Sequence, residues 1–233
     1  MKILAVDSSS VTASVALIEG KKIISEFFMN AGLTHSETLA PMIESVLINS
    51  KTKPEEVDLF AVSNGPGSFT GLRIGMATVK AMSLATNKEC VGISSLYALA
   101  WNFSNFNSVI CACMDARRGT LYNALFKIQH GKITRLTKDR AISTEDLTTE
   151  LQNLNEKIEF VGDGAAICYN SIADKLNCTL IPEENRYIKA SNIAFAASKI
   201  YSSGAISNAC DLSLNYIRIP QAERLLRENK LKI

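Results

Sequence analysis

The sequence predicts an α/β protein of two duplicated lobes, the second truncated. Three observations carry that prediction. An apolar strand ending in aspartate occurs twice, at residues 2–6 before Asp7 and at 108–114 before Asp115. Each is followed by a pair of strands with a Gly-Lys turn, Gly20-Lys21 and Gly131-Lys132. Each half then runs helix, strand, G-x-G and helix, with the glycine pairs at Gly65/Gly67 and Gly162/Gly164. A shared order of landmarks across 233 residues points to duplication; the competing reading is coincidence in a generic α/β chain.

Taken in order, KILAV (2–6) reads as a buried strand because it is short, apolar and rich in branched side chains. Strands near 11–18 and 22–28 meet at Glu19-Gly20, where glycine suits a tight hairpin. Thr34 and Glu37 have capping-box spacing ahead of a helix to about Asn49, with Pro41 expected to kink it or to push its start later. A strand at 57–63, the glycine loop, a helix to Thr86, a strand at 90–93 and a helix from Ser95 complete the first half. The second half predicts strands at 108–114, 120–128 and 132–136, then a helix at 144–152. A strand at 158–161, a helix to Leu176, a strand at 178–181 and a helix at 190–203 follow. This β-β-β-α-β-α-β-α unit used twice is the plan of the actin-like (ASKHA, ribonuclease H-like) proteins. The expected lobes are 1–105 and 106–219, with a helix at 220–233 packing back on the first. That last helix carries Arg224, Arg227, Lys230 and Lys232, a solvated face or a contact with a polyanion or partner.

Composition narrows the function classes. Hydrophobic residues are 47%, charged residues 21% and net charge +2, so the chain is globular and lacks the basic excess of an independent nucleic-acid binder. Neither a signal peptide nor an apolar run of about 20 residues is evident. Of the six cysteines none forms C-x-x-C, and most sit in apolar runs, which reads as reduced thiols and a cytoplasmic protein. Cys111 and Cys113 alternate along one strand and should share a face.

The glycine segment GPGSFTGLRIG (65–75) joins a strand to a helix, and two readings stay open. Gly65, Gly67 and Ser68 suit phosphate at a helix N-terminus, or they make a tight turn that packs the helix close to the sheet. No Gly-Lys-Ser/Thr follows, so this is not a P-loop, and Pro66 lacks an N–H. Asp7, Ser8 and Ser9 end the first strand and could approach phosphate or form a capping turn; Asp115, Arg117 and Arg118 are their second-half counterparts, the arginines suiting a phosphate or carboxylate or making a hairpin turn. His35 and His130 stand alone, His35 as a surface or capping residue and His130 in a turn. No His or Cys metal set is present, and Ser-His-Asp catalysis lacks partners.

Both long helices are apolar on more than one side. On 70–86, Leu72, Met76, Val79 and Ser83 form one stripe, and Ile74, Ala77, Ala81 and Leu84 another. The helix of 35–49 offers Leu39, Met42, Ile43, Val46, Leu47 and Ile48, too broad a set for one face. A helix apolar on both sides covers the sheet with one and a neighbouring chain, or the chain's own second half, with the other. The expected partner interface is Leu39, Met42, Ile43, Val46, Leu72, Arg73, Met76, Val79 and Lys80.

The sequence resembles the TsaB (YeaZ) family over most of its length. The resemblance is carried by LAVDSS (4–9), HSETLAPMIESVL (35–47), SNGPGSFTGLRIGMATVKAMSLA (63–85), VGISSLYALA (91–100), MDARRGTLY (114–122), GDG (162–164) and YIRIPQAE (216–223). It implies a non-catalytic platform that binds the paralogue TsaD, with TsaE in a larger complex. That complex makes N6-threonylcarbamoyladenosine at position 37 of tRNAs reading ANN codons. It further implies a homodimer when alone, tRNA met only through the complex, no intrinsic cofactor, and ATP or ADP at the complex interface. In the paralogue a His-x-x-x-His metal pair follows the glycine helix; here Ser95 and Leu99 stand there, and leucine cannot ligate. The alternative is an independent actin-like small-molecule kinase or ATPase.

Overall fold

The computed structural model describes residues 1–202, 204 and 209–218. Apolar residues alternate in destination along the first strand, β1 (Lys2–Asp7). Ile3 and Ala5 point into one core cluster, Leu4 and Val6 into another, so the strand is buried on both faces. The hairpin β2 (Ala13–Glu19) and β3 (Lys22–Met29) follows antiparallel to β1 and closes at Gly20, whose φ of +60° is the left-handed conformation that glycine tolerates. Helix α1 (His35–Asn49), β4 (Leu59–Gly65), α2 (Phe69–Thr86) and β5 (Glu89–Ser94) complete a sheet of order β3-β2-β1-β4-β5.

Short helix α3 (Ser95–Trp101) leads to the second lobe. Its elements are β6 (Ser108–Asp115), β7 (Thr120–Gln129), β8 (Lys132–Arg135), β9 (Arg140–Ser143), α4 (Thr144–Leu151), β10 (Ile158–Val161), α5 (Ala165–Ile172) and β11 (Cys178–Leu180). The sheet order β11-β10-β6-β7-β8 repeats the first lobe strand for strand, with the same parallel and antiparallel neighbours. Two such lobes make the fold actin-like. The truncation lies in the helices: α4 and α5 have 8 residues each where α1 and α2 have 15 and 18.

Several expectations change. The strand β9 was not foreseen; four residues on an edge of β7 carry too little alternation to be read. Thr34 stands at the N-cap of α1 but its side chain caps nothing, so the capping box does not form, and α1 begins at His35 and runs through Pro41. Helix α6 (Ala190–Ser202) was assigned to the second lobe, yet it packs on β1, β2 and β5 of the first. Ala209 and Leu212 also join the first lobe's outer core. Cys210 is exposed and Cys178 half-buried, while Cys90, Cys111, Cys113 and Cys168 are buried thiols. The sulfurs of Cys111 and Cys113 lie 3.6 Å apart, on one face as the alternation requires. The helix expected at 220–233 lies outside the described residues.

The central core sits between the two sheets. The inner faces of β1 and β6 meet there over α3 and α6, which holds the lobes together and leaves a cleft at the C-terminal ends of the strands. Among the described residues no helix is long and apolar enough to cross a membrane.

Candidate functional site

The cleft between the lobes has a volume of about 940 Å³. Its first-lobe wall is the glycine segment and the turn after β1; its second-lobe wall is the turn after β6 and Asp163. Strand ends gather there because parallel strands of the duplicated sheets point the same way, which is where α/β folds place ligand crevices.

The glycines have a packing reason. A Cβ on Gly67 or Gly71 would collide with the carbonyl oxygens of Ser9 and Ser8, and one on Gly75 with the Ser8 hydroxyl. The turn after β1 therefore lies directly on the start of α2. Ser68 N donates to Ser9 O at 2.7 Å, and Ser8 Oγ donates to Gly71 O at 2.9 Å. Ser68 caps α2, its Oγ accepting from Gly71 N at 3.2 Å. The N–H groups of Ser68 and Gly71, which a phosphate would use, are thus engaged within the chain. The second lobe repeats the device: Gly164 N donates to Cys113 O at 3.1 Å, and Gly162 and Gly164 leave no room for a Cβ beside Cys113 and Met114.

Asp7 is fully buried. Its Oδ1 accepts from Ser9 N (3.2 Å), Ser9 Oγ (2.7 Å) and Ser63 Oγ (2.5 Å), while Oδ2 has no partner. Burial pushes its carboxyl above the usual range, against the pull of those three hydrogen bonds and of His35. Asp163 is pushed up to about 6, chiefly by burial; Asp115 N donates to its Oδ1 at 3.2 Å and lowers it, while the Asp115 charge raises it. His35, the first residue of α1, sets Nε2 against Ser10 O at 2.8 Å. It is a cleft residue, which its lone position in the sequence did not signal.

Of the residues singled out for phosphate, Ser9, Gly67, Ser68, Asp115 and Arg117 line the cleft; Asp7, Ser8 and Gly65 lie behind its wall. Arg118, read from the sequence with Arg117, lines it too, and the structure adds Tyr216 and Arg218. The Ser8 hydroxyl donates to the Gly71 carbonyl and the Ser9 hydroxyl to the Asp7 carboxyl, and all three side chains of this turn are fully buried. Ser95 and Leu99 are buried in the core between the lobes.

The interface expectation needs correction. Leu39, Met42, Ile43, Val46, Leu72, Met76 and Val79 are all buried within the chain, and all but Leu72 belong to the first lobe's outer core. Only Arg73 and Lys80 of that set reach the surface. The stripe facing outward on α2 is the other one, half-buried Ile74 with exposed Ala77, Ala81 and Leu84, while on α1 Ile48 is exposed. Leu84 and Ile48 are 64% and 66% exposed. Between α1 and α2 runs an apolar groove of about 680 Å³, lined by Ala40, Ile43, Leu47, Ile48 and Met82, with Glu44 and Lys51 among its polar residues.

Comparison with known proteins is consistent across sequence and structure. Residues 29–233 match the family model for tRNA N6-adenosine threonylcarbamoyltransferase, TsaD. The chain is 30% identical to the tRNA threonylcarbamoyladenosine biosynthesis protein TsaB of Bacillus subtilis, over 76% of this chain and 77% of that one. It is 29% identical to TsaB of Escherichia coli, covering 70% and 72%. A tRNA N6-adenosine threonylcarbamoyltransferase of Bartonella henselae is 41% identical over 66 residues, 28% of this chain and 18% of that one. YeaZ of Pseudomonas aeruginosa has the same fold, with a TM-score of 0.76 at 20% identity over 92% and 99% of the two chains.

Proposed function

Because this chain belongs to the TsaB family of tRNA threonylcarbamoyladenosine biosynthesis proteins, we propose that it is a non-catalytic platform that docks the threonylcarbamoyltransferase paralogue TsaD through α1 and α2. The observation that carries the docking is the outward groove. It joins two long helices, leaves Ile48 in water beside Leu47 and Met82, and offers a helical partner a ridge-and-groove surface. Support for the non-catalytic part comes from the serine hydroxyls committed to Asp7 and Gly71, and from Leu99 where the transferase pattern has a metal ligand. The acyl transfer to tRNA then belongs to TsaD, nucleotide-dependent steps to TsaE and the complex interface, and the same groove closes on a second copy when TsaD is absent. The alternative reading, an independent small-molecule kinase or ATPase, has the cleft of about 940 Å³ in its favour.

The test is direct. Ile48→Glu and Ala40→Glu place charge on the exposed rim of the groove without touching the core. Each should abolish co-elution with TsaD in size-exclusion chromatography and reduce formation of modified adenosine in a reconstituted reaction. If both variants still co-elute, the face is misassigned; if the pure chain hydrolyses ATP with robust turnover, the platform reading falls.

A further inference from the structure

The second half of the cleft mouth is chemically unlike the first. Phe69 and Tyr216 sit on its rim with ring centroids 5.1 Å apart, 37% and 40% exposed. Arg73 lies over Phe69 at 3.8 Å and donates from Nε to Tyr216 Oη at 2.9 Å. Across the cleft, Arg117 and Arg118 occupy consecutive left-handed positions, φ +66° and +58°, at the tip of the β6–β7 hairpin. Two non-glycine residues in that region cost about 1–3 kcal/mol each and mark a turn held for a reason other than its own stability. Arg218 braces the turn from below, its Nη1 donating to Ala116 O at 2.6 Å and Arg117 O at 3.4 Å.

Three guanidinium groups therefore share one corner of the cleft with two carboxylates, Asp115 and Asp163. Asp115 is taken by Arg117, at 3.3 Å and through the Arg117 backbone N–H at 2.7 Å. Asp163 faces the Asp115 backbone. Among the described residues no carboxylate pairs with Arg118, Arg218 or Arg73. The segment bearing Tyr216 and Arg218 ties the two walls together: Asn215 N donates to Asn64 O at 2.8 Å on one side, and Arg218 reaches the hairpin on the other. Two residues span at most about 7 Å, so the backbones of Tyr216 and Arg218 are no farther apart than that along the rim.

We propose that this rim, Phe69, Arg73 and Tyr216 with Arg117, Arg118 and Arg218, is a contact for an unpaired stretch of RNA. Exposed rings give a base a stacking face, and the guanidiniums of Arg118 and Arg218, which pair with no carboxylate among the described residues, give the flanking phosphates charge-assisted partners. The deep part of the cleft is unsuited to the same phosphate, since Ser68 N and Gly71 N are engaged and the buried carboxyl behind them is Asp7. A rim contact also fits a chain whose net charge of +2 is too small for independent high-affinity binding. The choice of RNA as polyanion rests on the functional reading above; the geometry of rings and arginines does not.

The experiment uses the full-length chain alone, with a fluorescein-labelled unstructured RNA of about 12 nucleotides, its duplex, and AMP as competitor, read by anisotropy at about 50 mM KCl. The single strand should bind with a Kd of about 1–100 µM and more tightly than the duplex. Phe69→Ala should weaken single-strand binding roughly 5- to 100-fold, and Tyr216→Phe should retain it. Arg118→Gln should lower the slope of log K against log salt by about 0.7, one single-strand phosphate. All three positions are at the surface, and each variant is accepted only with wild-type circular dichroism and melting. No saturable binding below about 100 µM, equal binding of duplex and single strand with Phe69→Ala unchanged, or complete displacement by AMP, which would mark a mononucleotide site, each overturns the proposal. Co-elution with TsaD is scored on the same preparations. Its loss in wild type overturns the platform reading alone, while RNA binding that is unaffected by these variants overturns the rim alone.

Discussion

Asp163→Asn isolates one buried charge. The carboxyl of Asp163 is held up to about 6 against an ordinary value of 3.8, and burial is the main cause. Between those values the folded chain keeps a proton that the unfolded chain has lost, so stability falls as pH rises from about 4 to 6 and stays lower above it. A shift of about 2.2 units corresponds to about 3 kcal/mol, and to about 2 kcal/mol after allowing for the part of the side chain that water reaches. Asparagine keeps an oxygen to accept from Asp115 N and never ionises. The variant should therefore match wild type near pH 4 and exceed it by about 2 kcal/mol near pH 8. Asp7 also has a raised carboxyl, so wild type carries two such contributions; the variant retains that of Asp7, and the difference curve reports Asp163 alone. The assay is urea unfolding followed by circular dichroism from pH 4 to 8, comparing midpoints at equal m-value. Parallel curves for the two proteins across that range would refute the reasoning.

Gly71→Ala forces a Cβ onto the Ser8 carbonyl, an immovable backbone atom, and should cost about 1–3 kcal/mol of overpacking, partly offset by a helix-propensity gain of about 1 kcal/mol. Gly75→Ala meets the Ser8 hydroxyl instead, which can rotate, so it should cost less; a midpoint for Gly71→Ala at or above wild type contradicts the close approach. Ser63→Ala removes a 2.5 Å hydrogen bond to Asp7 Oδ1 and should destabilise by about 1–3 kcal/mol. That bond favours the ionised carboxylate, so the loss should be larger at pH 8 than at pH 5, and thermal melts showing the same loss at both values would argue against it.

The repeated order of strands was legible because the signals are local: apolar runs of period two, glycines at tight turns and an aspartate at each strand end. The actin-like plan and the family motif followed from that order and from GPGSFTGLRIG. Stripe assignment was a different matter. Periodicity gives two apolar stripes on α2 and is silent on rotation about the helix axis. Leu72, Met76 and Val79 had to face the sheet because α2 lies against β4, a neighbour chosen by the chain's path and not by the helix. The large apolar side chains left in water on the two helices are accordingly Ile48 and Leu84. The return of α6 to the first lobe was hidden for the same reason: its apolar face fits either lobe, and only the shared core between the sheets selects one.

By itself the sequence determined most of the strands and helices, that they come twice, and that the glycine segment joins a strand to a helix as either a phosphate loop or a close-packed turn. Those are consequences of side-chain size, branching and the missing Cβ of glycine, properties each residue carries alone. Tertiary structure decided what the glycines approach, which helix stripe meets water, and that Phe69, Arg117, Tyr216 and Arg218 stand around one cleft. Such proximities join residues up to 149 positions apart, and they exist only once two lobes have packed on a common core.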